Sequence, residues 1–233
     1  MESVESPEWT RAAIMEQALA FRNGRARFVW RQTATVLADL ARAHELVVAE
    51  DGKGIRAAHG SLRIRLPAVC PLGQHRTIES YVAALPDSLG LTLIVLLQAG
   101  AAALGVVDEN TGFVRHKAHK KYVIRGHGRA QSTFLKTRGK SRYGSRLRLQ
   151  NARRLLVATN ARLHDWIEQL GPPDRAFVSC PVRTRNEWFA TKPPPPLARD
   201  AFVRIPLDVH VPCFAELQRV WWELCRGTVE LDE

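Results

Sequence analysis

The chain has 233 residues, 45% of them hydrophobic, and carries 34 Lys+Arg against 23 Asp+Glu, a formal charge of +11. That length can bury one substantial core or two small lobes, and the cationic excess points to a polyanionic partner. There is no apolar run of about 18 residues, and the acidic, polar start MESVESPEW is neither a secretory signal nor an Arg-rich transit peptide. The expectation is a cytoplasmic protein with no membrane partner. Cys70, Cys180, Cys213 and Cys225 lie far apart, with no CxxC pair. They read as reduced thiols, and neither a metal site nor a cofactor is expected.

In chain order, Ser6-Pro7-Glu8 reads as a helix start running to about Phe21, broken by Asn23-Gly24. A second helix is expected from Ala26 to His44, because Phe28, Trp30, Val36, Leu37 and Leu40 recur at roughly helical spacing. Leu46 to Ala49 reads as a strand, Asp51-Gly52-Lys53-Gly54 as a turn, Ser61 to Leu66 as an alternating strand and Thr77 to Ala84 as a short helix. These elements make a helix-and-hairpin lobe over 1-88. The apolar run LTLIVLL, Leu91 to Leu97, suits a strand buried on both faces at the centre of a sheet. Ala101 to Val107 is a second buried strand. After a turn at Asp108 to Gly112 come strands at Phe113 to Arg115 and Lys121 to Arg125.

From Ser145 the pattern is helical: Leu147, Ala152, Leu155, Leu156, Thr159, Leu163, Trp166, Ile167 and Leu170 recur at three and four. A helix of about 25 residues, close to 38 Å long at about 1.5 Å per residue, ends at Gly171-Pro172-Pro173. Arg175 to Cys180 is a strand, Asn186 to Phe189 a short helical turn, Pro193 to Pro196 a stiff spacer and Ala201 to Ile205 a short strand. Pro212 to Cys225 is a final amphipathic helix with Phe214, Leu217, Val220, Trp221 and Leu224 inward. The fold class expected for 89-229 is α/β (α+β), a mixed sheet flanked by helices; the alternative is one continuous domain over 1-233.

The charge is not spread evenly. Between Glu109 and Asp165 there is no acidic residue, and Asn110 to His164 hold 15 Lys+Arg. The remainder of the chain has 19 basic and 23 acidic residues, so the basic character is one contiguous segment on a mildly acidic body. A segment of this density attracts RNA or DNA phosphate. Within it, Gly126-His127-Gly128-Arg129-Ala130-Gln131 puts two glycines, which tolerate φ > 0, just before an uncharged amide. Such an amide can hold a water or a ribose hydroxyl beside phosphates, where a carboxylate would be repelled. Thr137 to Ser145, glycine-punctuated and basic, reads as a flexible loop. His116 and His119 form an HxxH pair on strand and loop rather than on a helix, which suits phosphate or ribose contact better than a metal. His127 has the titration range of a general acid or base. No Ser-His-Asp, Cys-His or paired-carboxylate set is recognisable, and acid-base chemistry by Asp or Glu inside the window is excluded. The first turns of the long helix carry Arg146, Arg148, Arg153 and Arg154, opposed to the helix dipole unless an anion sits there.

The segments His116-Lys117, Lys121 to Arg125, Gly128 to Gln131, Gly144-Ser145 and Arg148 to Asn151 resemble a release-factor-like family. These are relatives of the tRNA-releasing factor of eukaryotic ribosome-associated quality control, which in animals carries ankyrin repeats and a zinc finger. Their catalytic domain is similar to the middle domain of eukaryotic and archaeal class 1 release factors, whose Gly-Gly-Gln loop enters the peptidyl transferase centre. Here the tripeptide is Arg129-Ala130-Gln131, which departs from a stop-codon factor more than from the rescue branch. The resemblance is good over about Leu91 to Trp166.

It implies a peptidyl-tRNA hydrolase-like or tRNA 3′-end endonuclease-like enzyme, with the ribosomal large subunit and peptidyl-tRNA as partners and the monomer favoured. Gln131 is the implied catalytic residue, in a loop of Gly126, His127, Gly128, Arg129 and Ala130. His116, Lys117, Lys120, Lys121, Arg125, Arg138, Lys140, Arg142, Arg146 and Arg148 are the implied RNA contacts. Water attack on the peptidyl ester and ribose 2′-hydroxyl attack on a 3′-end phosphodiester both remain open. No codon-reading domain fits beside this core, so stop-codon independence is expected. Two rivals stand beside it: a non-catalytic basic rRNA- or tRNA-binding protein, and a free-standing tRNA nuclease.

Overall fold

The strands divide by their burial pattern. Strands with alternating buried and exposed residues, such as Arg25–Val29 and Leu62–Arg65, belong to one sheet, and the long, continuously buried strands Leu91–Gln98 and Ala101–Asp108 belong to another. The computed structural model describes residues 21–49, 52, 54–121 and 141–231, with 141–145 described by backbone alone. It is an α+β chain of two compact units. The first comprises the described residues up to Asp87 together with those from Trp222, the second Ser88–Trp221.

The first unit holds β1 (Arg25–Val29), α1 (Thr33–Ala43), β2 (Leu46–Val48), β3 (Ile55–Ala57), β4 (Leu62–Arg65), α2 (Ile78–Ala83) and, from the far end of the chain, β10 (Arg226–Leu231). The sheet order is β1-β10-β4-β3-β2, antiparallel throughout. Phe28, Val36, Leu37, Ile55, Ile64 and Val229 are among the buried side chains of its core. The helix expected from Ala26 is a strand up to Val29, followed by a 3-10 turn, and α helix begins only at Thr33. Phe28 pairs with Gly227 across β10, and a Cβ on that glycine would lie 2.1 Å from the Phe28 ring. The aromatic ring fills the space that the glycine leaves. Thr77 caps α2 by accepting from Ser80 N at 3.2 Å. The helix expected from Ser6 lies outside the described residues.

In the second unit, β5 (Leu91–Gln98) is the central strand of the order β7-β6-β5-β8-β9, with β6 (Ala101–Asp108), β7 (Gly112–Lys120), β8 (Arg175–Ser179) and β9 (Phe202–Arg204). Leu93 to Leu97 are each at most 1% exposed, so this one strand contributes on the order of 10 kcal/mol of apolar burial. β6 runs antiparallel to both its neighbours, and β8 and β9 run parallel to β5. Four strands therefore share one direction, and only β6 opposes them. The strand expected at Phe113 to Arg115 continues to Lys120. Lys121 lies beyond it, and Tyr122 to Arg125 fall outside the described residues.

One face of this sheet packs on α3 (Ser141–Leu170) through Leu155, Leu156, Leu163 and Trp166, and on Trp188 of α4 (Val182–Phe189). The other meets α5 (Phe214–Leu224): Phe214 lies edge-on to Phe113 at 5.3 Å, and Leu217 approaches Gly105. A buried polar cluster fixes α3. Asn160, fully buried, accepts from the Trp188 indole and donates to Thr191 Oγ1 (2.7 Å) and Pro193 O (2.9 Å). His164 Nε2 lies 2.9 Å from Pro194 O. The proline run expected as a spacer is thus bonded along α3. The helical turn expected at Asn186 begins earlier, at Val182. Among the described residues no helix is long and apolar enough to cross a membrane.

Candidate nucleic-acid interface

The basic window begins on β7, an edge strand. Its entry is fixed by Asp108, whose Oδ1 accepts from Asn110 N and Thr111 N, both at 2.9 Å. The pairing then slips: Val106 faces Arg115 but Val107 faces Phe113, so Val114 is a bulge residue. The bulge resets the alternation, and Phe113 and His116 both reach α5. The His116 ring stacks on Phe214 with centroids 3.9 Å apart. Three residues on, His119 lies on the opposite face, its Nε2 3.5 Å from Thr159 Oγ1 of α3. The HxxH pair is thereby split between the two faces of the strand and cannot close on one ion. Burial, followed by the charges of Lys117, Lys121 and Arg162, holds the His119 imidazole below its usual range, so it is neutral at pH 7. Arg162 lies beyond the set of RNA contacts expected from sequence.

The end of β7 is anchored. Lys121 N donates to Gly100 O at 2.8 Å, in a turn where Gly100 has φ +82°. At the same end of the sheet the Gln98 amide donates to Val209 O (2.8 Å) and His210 O (2.9 Å). The chain that follows, with Arg125, Gly126, His127, Gly128, Arg129, Ala130, Gln131, Arg138 and Lys140, lies outside the described residues. Its two attachment points, Lys121 and Ser141, are described.

The helix α3 that receives the chain begins four residues earlier than its apolar repeat indicates and has 30 residues, a length of about 45 Å. None of residues 146–154 is buried, and core contact starts at Leu155. About 13 Å of helix, from Arg146 to Arg154, therefore carries no buried side chain. This stretch bears Arg146, Arg148, Arg153 and Arg154, none with an ion-pair partner among the described residues, and the Arg142 position precedes it in the first turn of the helix. Leu149 is 70% exposed there. His116, Lys117, Lys120 and Lys121 stand on the strand side, with no acid from Asn110 through His164 to offset them. These lysines and arginines attract phosphate with a strength that falls as salt rises.

A family model described as Bacteroidetes VLRF1 release factor matches residues 92–232. No curated protein matches. Among solved structures, the chain is similar to the "Vms1 mitochondrial localization core", with 15% identity over 87% of this chain and 84% of that one and a TM-score of 0.47.

Proposed function

The chain belongs to the Bacteroidetes VLRF1 release-factor family, and we propose that it frees nascent peptide from peptidyl-tRNA on stalled ribosomes, with Gln131 as the catalytic residue. The observation that carries this reading is the pair of cationic supports, β7 and residues 146–154 of α3, on either side of the glycine-glutamine segment. Cations without acidic partners are suited to rRNA and tRNA phosphate, and the glycines beside Gln131 leave the backbone free to approach a crowded reacting centre. The amide of Gln131 orients the nucleophile, and the ribosome and tRNA supply the remainder of the site. Catalysis of this kind works by positioning rather than by proton transfer from a carboxylate. The set assigned to RNA is His116, Lys117, Lys120, Lys121, Arg125, Arg138, Lys140, Arg142, Arg146 and Arg148. The relationship to the ankyrin-repeat zinc-finger tRNA-releasing factors belongs to the same proposal.

The deciding measurement is peptide release from stalled ribosomal complexes by wild type and Gln131→Ala at equal occupancy. Release is expected to be lost while binding and its salt dependence stay unchanged. Wild-type release by Gln131→Ala would overturn the proposed catalytic role of Gln131. Mapping the released tRNA end separates the two cuts. Water attack on the ester leaves an intact 3′ end, whereas 2′-hydroxyl attack leaves a 2′,3′-cyclic phosphate on the shortened tRNA and the terminal nucleotides, with a free 5′-hydroxyl, still on the peptide. The proposed release is independent of the codon, so it is expected to be equal with sense and stop codons in the A site.

A further inference from the structure

A second cationic feature lies outside the basic window. Between α4 and β9 runs a cleft of about 700 Å³ floored by Val178 and Phe202. Arg185 and Asn186 enter it from α4, Arg199 from the 3-10 turn before β9, and Arg204 from the end of β9, with Asp200 the only acid that lines it among the described residues. The arginines are held in different ways. Arg185 Nη2 donates to Arg199 O (2.9 Å) and Phe202 O (3.3 Å), and its buried Nε–H has no acceptor among the described residues. Arg199 donates to Asn186 Oδ1 at 3.0 Å and lies 5.0 Å above the Phe189 ring. Arg204 is exposed, with no ion-pair partner among the described residues. Two guanidinium groups fixed by neutral acceptors and a third left open make a receptor for oxyanions. Planar arginine forks match phosphate better than point charges do.

The sheet decides what kind of anion. β7 and β9 run in the same direction at opposite edges. The end of β9 at Arg204, and the end of β8 where the cleft reaches Cys180 and Pro181, therefore lie at the same end of the sheet as Lys120 and Lys121. Four strand spacings separate the two edges, about 19 Å. We infer that the Arg185–Arg199–Arg204 cleft is a second RNA-backbone site, holding phosphates of the same RNA whose reacting part lies at the Gln131 segment. This rests on the proposed function, since it takes the polyanion at that end of the sheet to be RNA.

The experiment compares two charge reversals in the second unit, Arg204→Glu in the cleft and Arg183→Glu on the exposed side of α4, where Arg183 pairs with Glu187 at 3.2 Å. Affinity is measured for a stalled ribosome–peptidyl-tRNA complex and for an RNA stem-loop, over a salt series and without reading cleavage. Arg204→Glu is expected to weaken both about tenfold and to make the slope of log affinity against log salt shallower by about 1. Arg183→Glu should change affinity less than twofold. Equal losses in the two variants would mean a general charge effect, and no loss in either would mean an idle cleft; both overturn the inference. Should Arg204→Glu melt early, Arg204→Gln decides, with about a threefold loss expected. A polyglutamate peptide is the third probe. If Arg204→Glu reduces its binding but not RNA binding, the occupant is an acidic protein and the RNA assignment falls. Intact binding by Arg204→Glu together with lost release by Gln131→Ala removes the cleft and leaves the proposed function standing.

Discussion

Glu216 shows how one buried charge fixes a loop beside the interface. Its carboxylate accepts from Arg219 Nη2 (2.7 Å) and Nε (2.9 Å) and from His210 N (2.7 Å), and its side chain is 6% exposed. The Arg219 hydrogen bonds, reinforced by those from His210, hold its pKa down at about 2. A carboxylate depressed in the folded state stabilises it fully above the unfolded value near 4.5, and the gain is lost as pH falls toward 2. Glu216→Gln should therefore cost roughly 2–3 kcal/mol at pH 7. Thermal melts over a pH series should show the wild-type and variant curves converging toward pH 2; a pH-independent gap would mean that packing, not charge, is what the variant loses. Nothing in the sequence marks Glu216 as special: Arg219 is an ordinary i+3 neighbour on α5, and His210 joins them only when the 208–213 turn folds back on the helix.

At the scale of elements, α3 poses a conflict between stability and charge. Arginine in its first turn opposes the helix dipole, so Arg142→Glu should stabilise the helix by about 0.3–1 kcal/mol. The same change should weaken ribosome binding about tenfold. Opposite signs in a melting curve and a binding isotherm would mark the charge as functional; a loss of stability would assign Arg142 a structural role instead. The apolar run of β5 was legible because it is too short for a buried helix and is flanked by Gly90 and Gly100, which suits a strand buried on both faces. β1 was not. Its two-residue alternation over Arg25–Val29 is shorter than the helical spacing that extends from Phe28 to Leu40, and its pairing partner is some two hundred residues away. β3 has only three residues, too few to show a period. β10 was hidden by Gly227, which reads as a break and is instead the site over which the Phe28 ring lies. The basic window was legible as composition, whereas the split of His116 and His119 follows from their odd separation once β7 runs on to Lys120, past the Arg115 end expected. The arginine cleft is assembled from α4, a 3-10 turn and β9, with no local signature at all.

For the whole molecule, the main consequence of topology is that the chain's last strand lies inside the sheet of its first unit, between β1 and β4. Ending the chain at Leu224 would leave the facing edges of β1 and β4 without their ladder partner and remove fully buried Val229 from the core. The truncated chain should lose amide protection across β1 and β4, while β5 and β6 keep theirs. Hydrogen exchange measures both, and retained protection in β1 would mean that the sheet closes by another route. The family match to residues 92–232 ends within this same region, so it takes in a strand that completes the other unit.

The interrupted first unit also sets an order of events during synthesis. The strands of the second sheet have all been made once Arg204 has been added, whereas β1 must wait for Arg226 before its partner exists. At about 5–20 residues per second, and with domains folding largely as they emerge, the nested unit has the earlier opportunity to settle. Until then β1 and β4 lack the partner between them, a state open to wrong pairing. A protein proposed to rescue stalled ribosomes would thus, if its own translation stopped between those two points, be left with its first sheet incomplete.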